Sequence, residues 1–179
     1  MMHNIAAFPI QSRDFDSLAD LQRFVDEFIV PPAEHIIVKL GQEHIPTLWC
    51  VTKRNLLAVG QVDMRDIEDK NRLRHLIHQT AASGLIKAIG LIVEGWTLRT
   101  PEHVSQEELD KWLQSGHSLS EHPNRAECLV ITAAASIGIV SQSQRIARIG
   151  KDTILGEPET LPQGQSQDRF FTGIAWPEE

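Results

Sequence analysis

Glu94 stands inside the run Ile92-Val93-Glu94-Gly95-Trp96, a carboxylate among apolar residues. A carboxylate buried without a partner is costly, so this position demands a donor, a counter-charge or a raised pKa, and such groups are enriched at functional sites. The second concentration of chemistry lies between His117 and Glu127, where two histidines (His117, His122), two glutamates (Glu121, Glu127) and Arg125 fall close together. Glu94 and His122 have the types needed for an acid–base pair, with Arg125 steering an anionic group, as in a small hydrolase. His117, His122 and Glu94 are also metal-ligand types, but their spacing matches no zinc signature, so no metal and no other cofactor is expected. The plainer reading makes these residues structural. Glu94 then pairs with an arginine near a strand end, Arg125 joins Glu94 or Glu127 through a two-pronged hydrogen bond, and the histidine loop is solvated.

Other chemistries fail on spacing. Gly84, Gly90 and Gly95 are too far apart for a phosphate-cradling loop. No Gly-x-Ser-x-Gly elbow occurs, and no Cys-x-x-Cys pair. Cys50 and Cys128 sit in apolar runs and read as reduced, buried thiols. His75 and His78 lie one turn apart on the exposed side of a helix, and His35 and His44 flank a presumed hairpin.

The segments Glu94-Gly95-Trp96, Glu121-His122-Pro123-Asn124-Arg125-Ala126-Glu127 and Arg145-Ile146-Ala147-Arg148 together resemble a loose group of uncharacterised bacterial and phage proteins. The resemblance covers roughly residues 60–150. It implies an α+β domain, carries no activity, and marks Glu94, His122, Arg125 and Glu127 as the residues to test first.

The elements that must position them follow from periodicity. Phe15, Leu18, Leu21, Val25, Phe28 and Ile29 draw one helical stripe, which Pro31 and Pro32 should end. Three short runs, 35–40, 45–52 and 55–62, read as antiparallel strands. Residues 66–84 form the strongest helical pattern, with acids early and bases later. Ile86–Arg99 is apolar on both faces at its start, which predicts a central strand with Trp96 buried. Ser105 and Glu108 make a capping box for a short helix. Two more strands, 126–135 and 137–149, follow, the second nearer an edge. The expected fold is a single α+β domain over residues 1–150. Its sheet is mostly antiparallel, with about five or six strands, two long helices on one face and one short helix. Residues 1–12 read as an irregular lead-in. Residues 151–179 read as an acidic Gly/Pro/Gln-rich tail, of which 157–179 should be dispensable for folding, and whose Phe170, Phe171 and Trp176 either fold back or meet a partner.

With 179 residues the chain can bury a core without disulfides. The tail holds six acids and two bases, so it carries −4 of the net −7. Neither part shows the basic face that nucleic acid requires. No stretch approaches the ~20 apolar residues of a membrane span, and no secretory signal is read, so a cytoplasmic protein without membrane or nucleic-acid partners is expected. With no catalytic motif surviving, the expected function is non-catalytic binding of a protein partner or a second copy. The hydrolase built on Glu94 and His122 is the alternative.

Overall fold

The computed structural model describes residues 2–98, 104–161 and 168–177. Among them, eight strands run in the order β1-β3-β2-β4-β5-β6-β7, with β8 also pairing β6. The strands are β1 (Met2–Pro9), β2 (Thr47–Thr52), β3 (Leu56–Val62), β4 (Ile86–Leu98), β5 (Arg125–Ala135), β6 (Gly138–Ile149), β7 (Asp152–Leu155) and β8 (Glu159–Thr160). Their pairings are antiparallel throughout. The fold is α+β.

The central strands β4 and β5 decide the layering. Strand side chains alternate between faces, and here both faces are apolar. Ala88, Ile92, Leu129, Ile131 and Ala133 face Leu21, Phe24, Val25, Ile29 and Ile37 of an N-terminal helix. Ile89, Leu91, Val93, Cys128, Val130 and Ala134 face Leu73, Ile77 and Ala81 of a second helix (Ile67–Ala82), together with Phe170 and Phe171. The helices therefore cover opposite faces, not one face as the pattern of elements suggested. Gly90 admits this packing: a Cβ there would lie 2.6 Å from Ile29 Cδ1. Cys50 and Cys128 are free thiols, and burial pushes them up to about 12 and about 11 respectively, which keeps them protonated and inert.

The N-terminal helix does not stop at Pro31 and Pro32. Four segments, Leu18–Phe24, Val25–Ile29, Val30–Glu34 and His35–Lys39, run end to end, the second and fourth with π-type turns. The prolines occupy the first turn of the third segment, where a missing N–H is tolerated. The Val30 N–H reaches back five residues to the Val25 carbonyl. In a helix of about 3.6 residues per turn a stripe repeating every four residues would wind around the axis. The wider π-type turns correct this, so that Leu21, Val25, Ile29, Ala33 and Ile37 all stay buried on one side. Residues 35–40, expected as a strand from the β-branched Ile36, Ile37 and Val38, are the end of this helix.

Other expectations also change. The lead-in is strand β1, recruited by pairing with β3 rather than by any alternation of its own. Strand β6 lies nearer the edge than β5, as expected, with the short strands β7 and β8 pairing along parts of its outer side. Trp96 is 43% exposed, because the apolar cover of its face ends before it. The presumed tail contributes β7, β8 and a final helical turn, Asp168–Phe171. Arg99, at the end of the expected central strand, lies outside the described residues.

Phe170 and Phe171 are 2% and 1% exposed, so the C-terminal segment is core. Phe171→Ala should lower stability by about 3–5 kcal/mol, the usual loss for a buried phenylalanine, read by denaturant melts. Removing residues 157–179 should abolish a cooperative transition. A truncated chain melting like the parent would show that the second layer holds without these rings.

Candidate functional site

On the face covered by the N-terminal helix, β4 continues past Ile92 to Glu94 and Trp96, and β5 begins with Arg125 and Glu127. Registration brings them side by side: Glu94 lies opposite Leu129, Trp96 opposite Glu127 and Leu98 opposite Arg125. Arg148, two residues beyond the buried Ile146 on β6, shares this face. The helix has ended by then, at Lys39. Charge is therefore collected where the apolar cover stops.

Arg148 organises the cluster. Its Nε donates to Glu127 Oε2 at 3.0 Å and its Nη2 to Glu127 Oε1 at 3.1 Å, a two-pronged bond. The same Nη2 lies 3.5 Å from Glu94 Oε2. The other oxygen of Glu94 accepts the His44 backbone N–H at 2.6 Å. Glu94 thus ties three elements: β4, β6 and the turn that leads from the helix into β2. Burial raises the Glu94 pKa above its ordinary value, the His44 N–H and Arg148 oppose the rise, and Glu127 and Glu43 add to it. Donating its hydrogen bonds to Glu127 holds Arg148 protonated above its ordinary range. It is Arg148, not Arg125, that spans the two carboxylates. Arg125 instead lies over the Trp96 ring, 5.3 Å from its centroid, and donates to the His122 carbonyl at 3.4 Å.

The histidines belong to a neighbouring unit. Trp112, on the short helix Gln106–Gln114, stacks against His117 at 4.7 Å and meets His122 edge-on at 4.9 Å. Its indole N–H donates to the Ser118 carbonyl. His122 Nδ1 accepts the Asn124 N–H at 3.1 Å, and His117 lies 3.7 Å from Glu121. Of the residues singled out in the sequence, Glu94 and Glu127 meet on Arg148, Arg125 joins Trp96 beside them, and His117 and His122 flank Trp112. Among the described residues no three His, Cys, Asp or Glu side chains group in a way that could hold a metal ion. Arg148 and His44 were missed as site residues. The alternation of β6 places Arg148 with Ile146, but which carboxylate it would meet depends on strand order.

Two concave surfaces accompany this cluster. The β5–β6 register ends at Cys128 opposite Arg145, and β6 then runs on with β7. The resulting cleft of about 660 Å³ is lined by Trp96, Pro123, Arg125, Glu127, Arg145 and Arg148, among others. At the opposite edge of the sheet, an apolar groove of about 590 Å³ runs between β1 and the N-terminal helix, past Ala6, Phe8, Phe28, Pro31, Pro32 and Trp49. No family model, curated protein or solved structure matches the chain. No helix among the described residues is long and apolar enough to cross a membrane.

The cluster should behave as a structural clamp with one dominant member. Arg148→Ala should destabilise by about 2–3 kcal/mol, somewhat below the loss for a fully buried pair, while Arg125→Ala should cost under about 1 kcal/mol. Equal losses in urea melts would contradict this ranking.

His44 predicts a pH dependence. It is 6% exposed, and burial lowers its pKa from 6.5 to about 4. Between these values the unfolded chain binds a proton that the fold rejects, so stability falls as pH drops from 6.5 to about 4. The full span corresponds to about 3 kcal/mol. His44→Gln should flatten that part of the stability–pH curve, and an unchanged slope would show that His44 stays accessible to protons.

Proposed function

We propose that this protein is a non-catalytic binding domain that takes an extended, apolar segment of a protein partner along β1. The observation that carries the reading is the character of this outermost strand. Between Met2 and Pro9 its one ionisable side chain is His3. Ile5 is 63% exposed and Phe8 52%. Edge strands present unpaired N–H and C=O groups and are ordinarily guarded by lysines, prolines or bulges. Here a bulge lies between His3 and Ala6, with Asn4 at a positive φ, and Pro9 closes the strand, so the unguarded stretch is Ala6 to Phe8. That stretch borders the apolar groove, so a partner strand could pair with the backbone and lodge alternate side chains beside Phe8 and Phe28.

The alternative, a small hydrolase with Glu94 and His122 as acid and base, finds less support. Both carboxylates of the cluster are engaged by Arg148, and His122 is engaged by Trp112 and the Asn124 N–H. Neither group stands ready over a common substrate.

The test is selection of extended peptides from a random library on the intact protein, with Phe8→Lys as the counter-target. Peptides rich in apolar residues should bind the parent and lose at least about tenfold in affinity on Phe8→Lys, the scale of one lost hot-spot contact. Sedimentation velocity over a wide range of concentration asks whether a second copy of the chain fills the same role. Failure to select any peptide, together with a parent that stays monomeric, would overturn the proposal, as would peptides that bind both proteins equally.

A further inference from the structure

The register on the inner side of β1 fixes what its outer side offers. Phe8 lies opposite Leu57 and Ala6 opposite Val59, and in the same register Ile10 donates its N–H to the Asn55 carbonyl. In an antiparallel ladder, hydrogen-bonded pairs alternate with pairs whose backbone groups turn away. Ile10, Phe8 and Ala6 therefore bond inward to β3, while Pro9 and Ala7 turn outward. Strand β3 gives the same assignment: Val62 donates to the Pro46 carbonyl on the β2 side, so Val62, Gly60 and Ala58 serve β2 and leave Leu57 and Val59 for β1. Pro9 has no N–H to strand at the edge, which is where a sheet tolerates proline. Within the unguarded stretch Ala7 alone aims both its N–H and its C=O outward, and it is exposed.

We infer that the segment taken along β1 is β1 of a second copy, paired antiparallel about a twofold axis at Ala7; the inference rests on the reading of β1 as a docking edge and names the occupant. A twofold axis sets identical residues face to face, and Ala7 can exchange both of its outward hydrogen bonds with Ala7 of the second copy. The neighbouring pair then puts Phe8 of each copy opposite Ala6 of the other, on the groove side of the sheet. This is the closer pair type, with Cα atoms about 4.5 Å apart. A small residue stands where the incoming ring must go, beside a groove lined by Phe28, Pro31 and Pro32. Charge agrees with this occupant. Two chains of net charge −7 repel wherever acids face each other, yet Met1 to Ser12 hold no acid and no ionisable side chain but His3. Glu27, in the groove wall, is already paired with Arg13. The seam is short, so the association is reversible and depends on concentration.

The experiment measures the full chain by sedimentation velocity over a wide range of concentration, where a reversible dimer is the expected result. Ala7→Pro removes the outward N–H and takes no bond from β3, so the variant should keep a cooperative melt while dimer formation weakens at least about tenfold. Phe8→Lys should weaken it similarly, and it carries the test alone if the proline variant does not fold. Disulfide trapping reads the register: Ala6→Cys mixed with Phe8→Cys should cross-link more than either variant by itself, because only the mixture sets two new thiols in the close pair. The natural cysteines, Cys50 and Cys128, are buried and stay out of this reaction. A parent that remains monomeric while selected peptides bind it would overturn this inference and leave the proposed function standing. A dimer that persists unchanged in both Ala7→Pro and Phe8→Lys, or a mixture that cross-links no better than its parts, would also overturn it.

Discussion

Two adjacent strands with apolar side chains on both faces set the terms for the whole molecule. From Ala88 to Val93 and from Cys128 to Ala135 there is no face that water can wet without loss, at roughly 25 cal/mol for each Å² of apolar surface left uncovered. The sheet must therefore carry a layer on each side. The N-terminal helix supplies one. The second helix supplies the other, but its contribution of Leu73, Ile77 and Ala81 is completed by Phe170 and Phe171 from the far end of the chain. The C-terminal segment is thereby drawn into the fold despite its polar composition.

The same constraint locates the charged cluster. Apolar cover on the first face runs out at the end of the N-terminal helix, and the strands continue beyond it. Side chains there are neither wholly buried nor freely solvated, the setting in which a carboxylate needs a defined partner. Glu94 meets this need twice over, with the His44 N–H on one oxygen and Arg148 on the other. The arrangement couples the helix-to-β2 turn to β6. In this chain a carboxylate in an apolar strand is tied through both of its oxygens, and its burial raises its pKa.

Surface character divides across the sheet. At the β1 edge, exposed Ile5 and Phe8 and a nearly uncharged strand suit a protein segment. At the β6 end, the parting of two strands leaves Trp96 beneath Arg125 and the Glu127–Arg148 pair along a cleft. The two surfaces are separated by the intervening strands and rest on different chemistry, so one can be altered without the other.

The sequence by itself determined what depends on local pattern. The α+β class, the second helix, the capping box at Ser105 and Glu108, the central place of β4 and the need of Glu94 for an arginine partner were all legible there, because periodicity and the cost of burying charge act on neighbouring residues. What only the tertiary structure decided depends on residues far apart in the chain. Pro31 and Pro32 read as a stop, yet the helix passes through them because π-type turns keep Ile29, Ala33 and Ile37 against the sheet; the strict four-residue spacing of the apolar stripe was the one local hint. Strand β1 has no alternation of its own and exists through its pairing with β3. Arg148 took the place expected for Arg125 because strand order and register, not sequence proximity, set which arginine faces the two carboxylates. Phe170 and Phe171 looked like part of a tail because composition cannot report that an uncovered apolar face elsewhere in the fold is waiting to be filled.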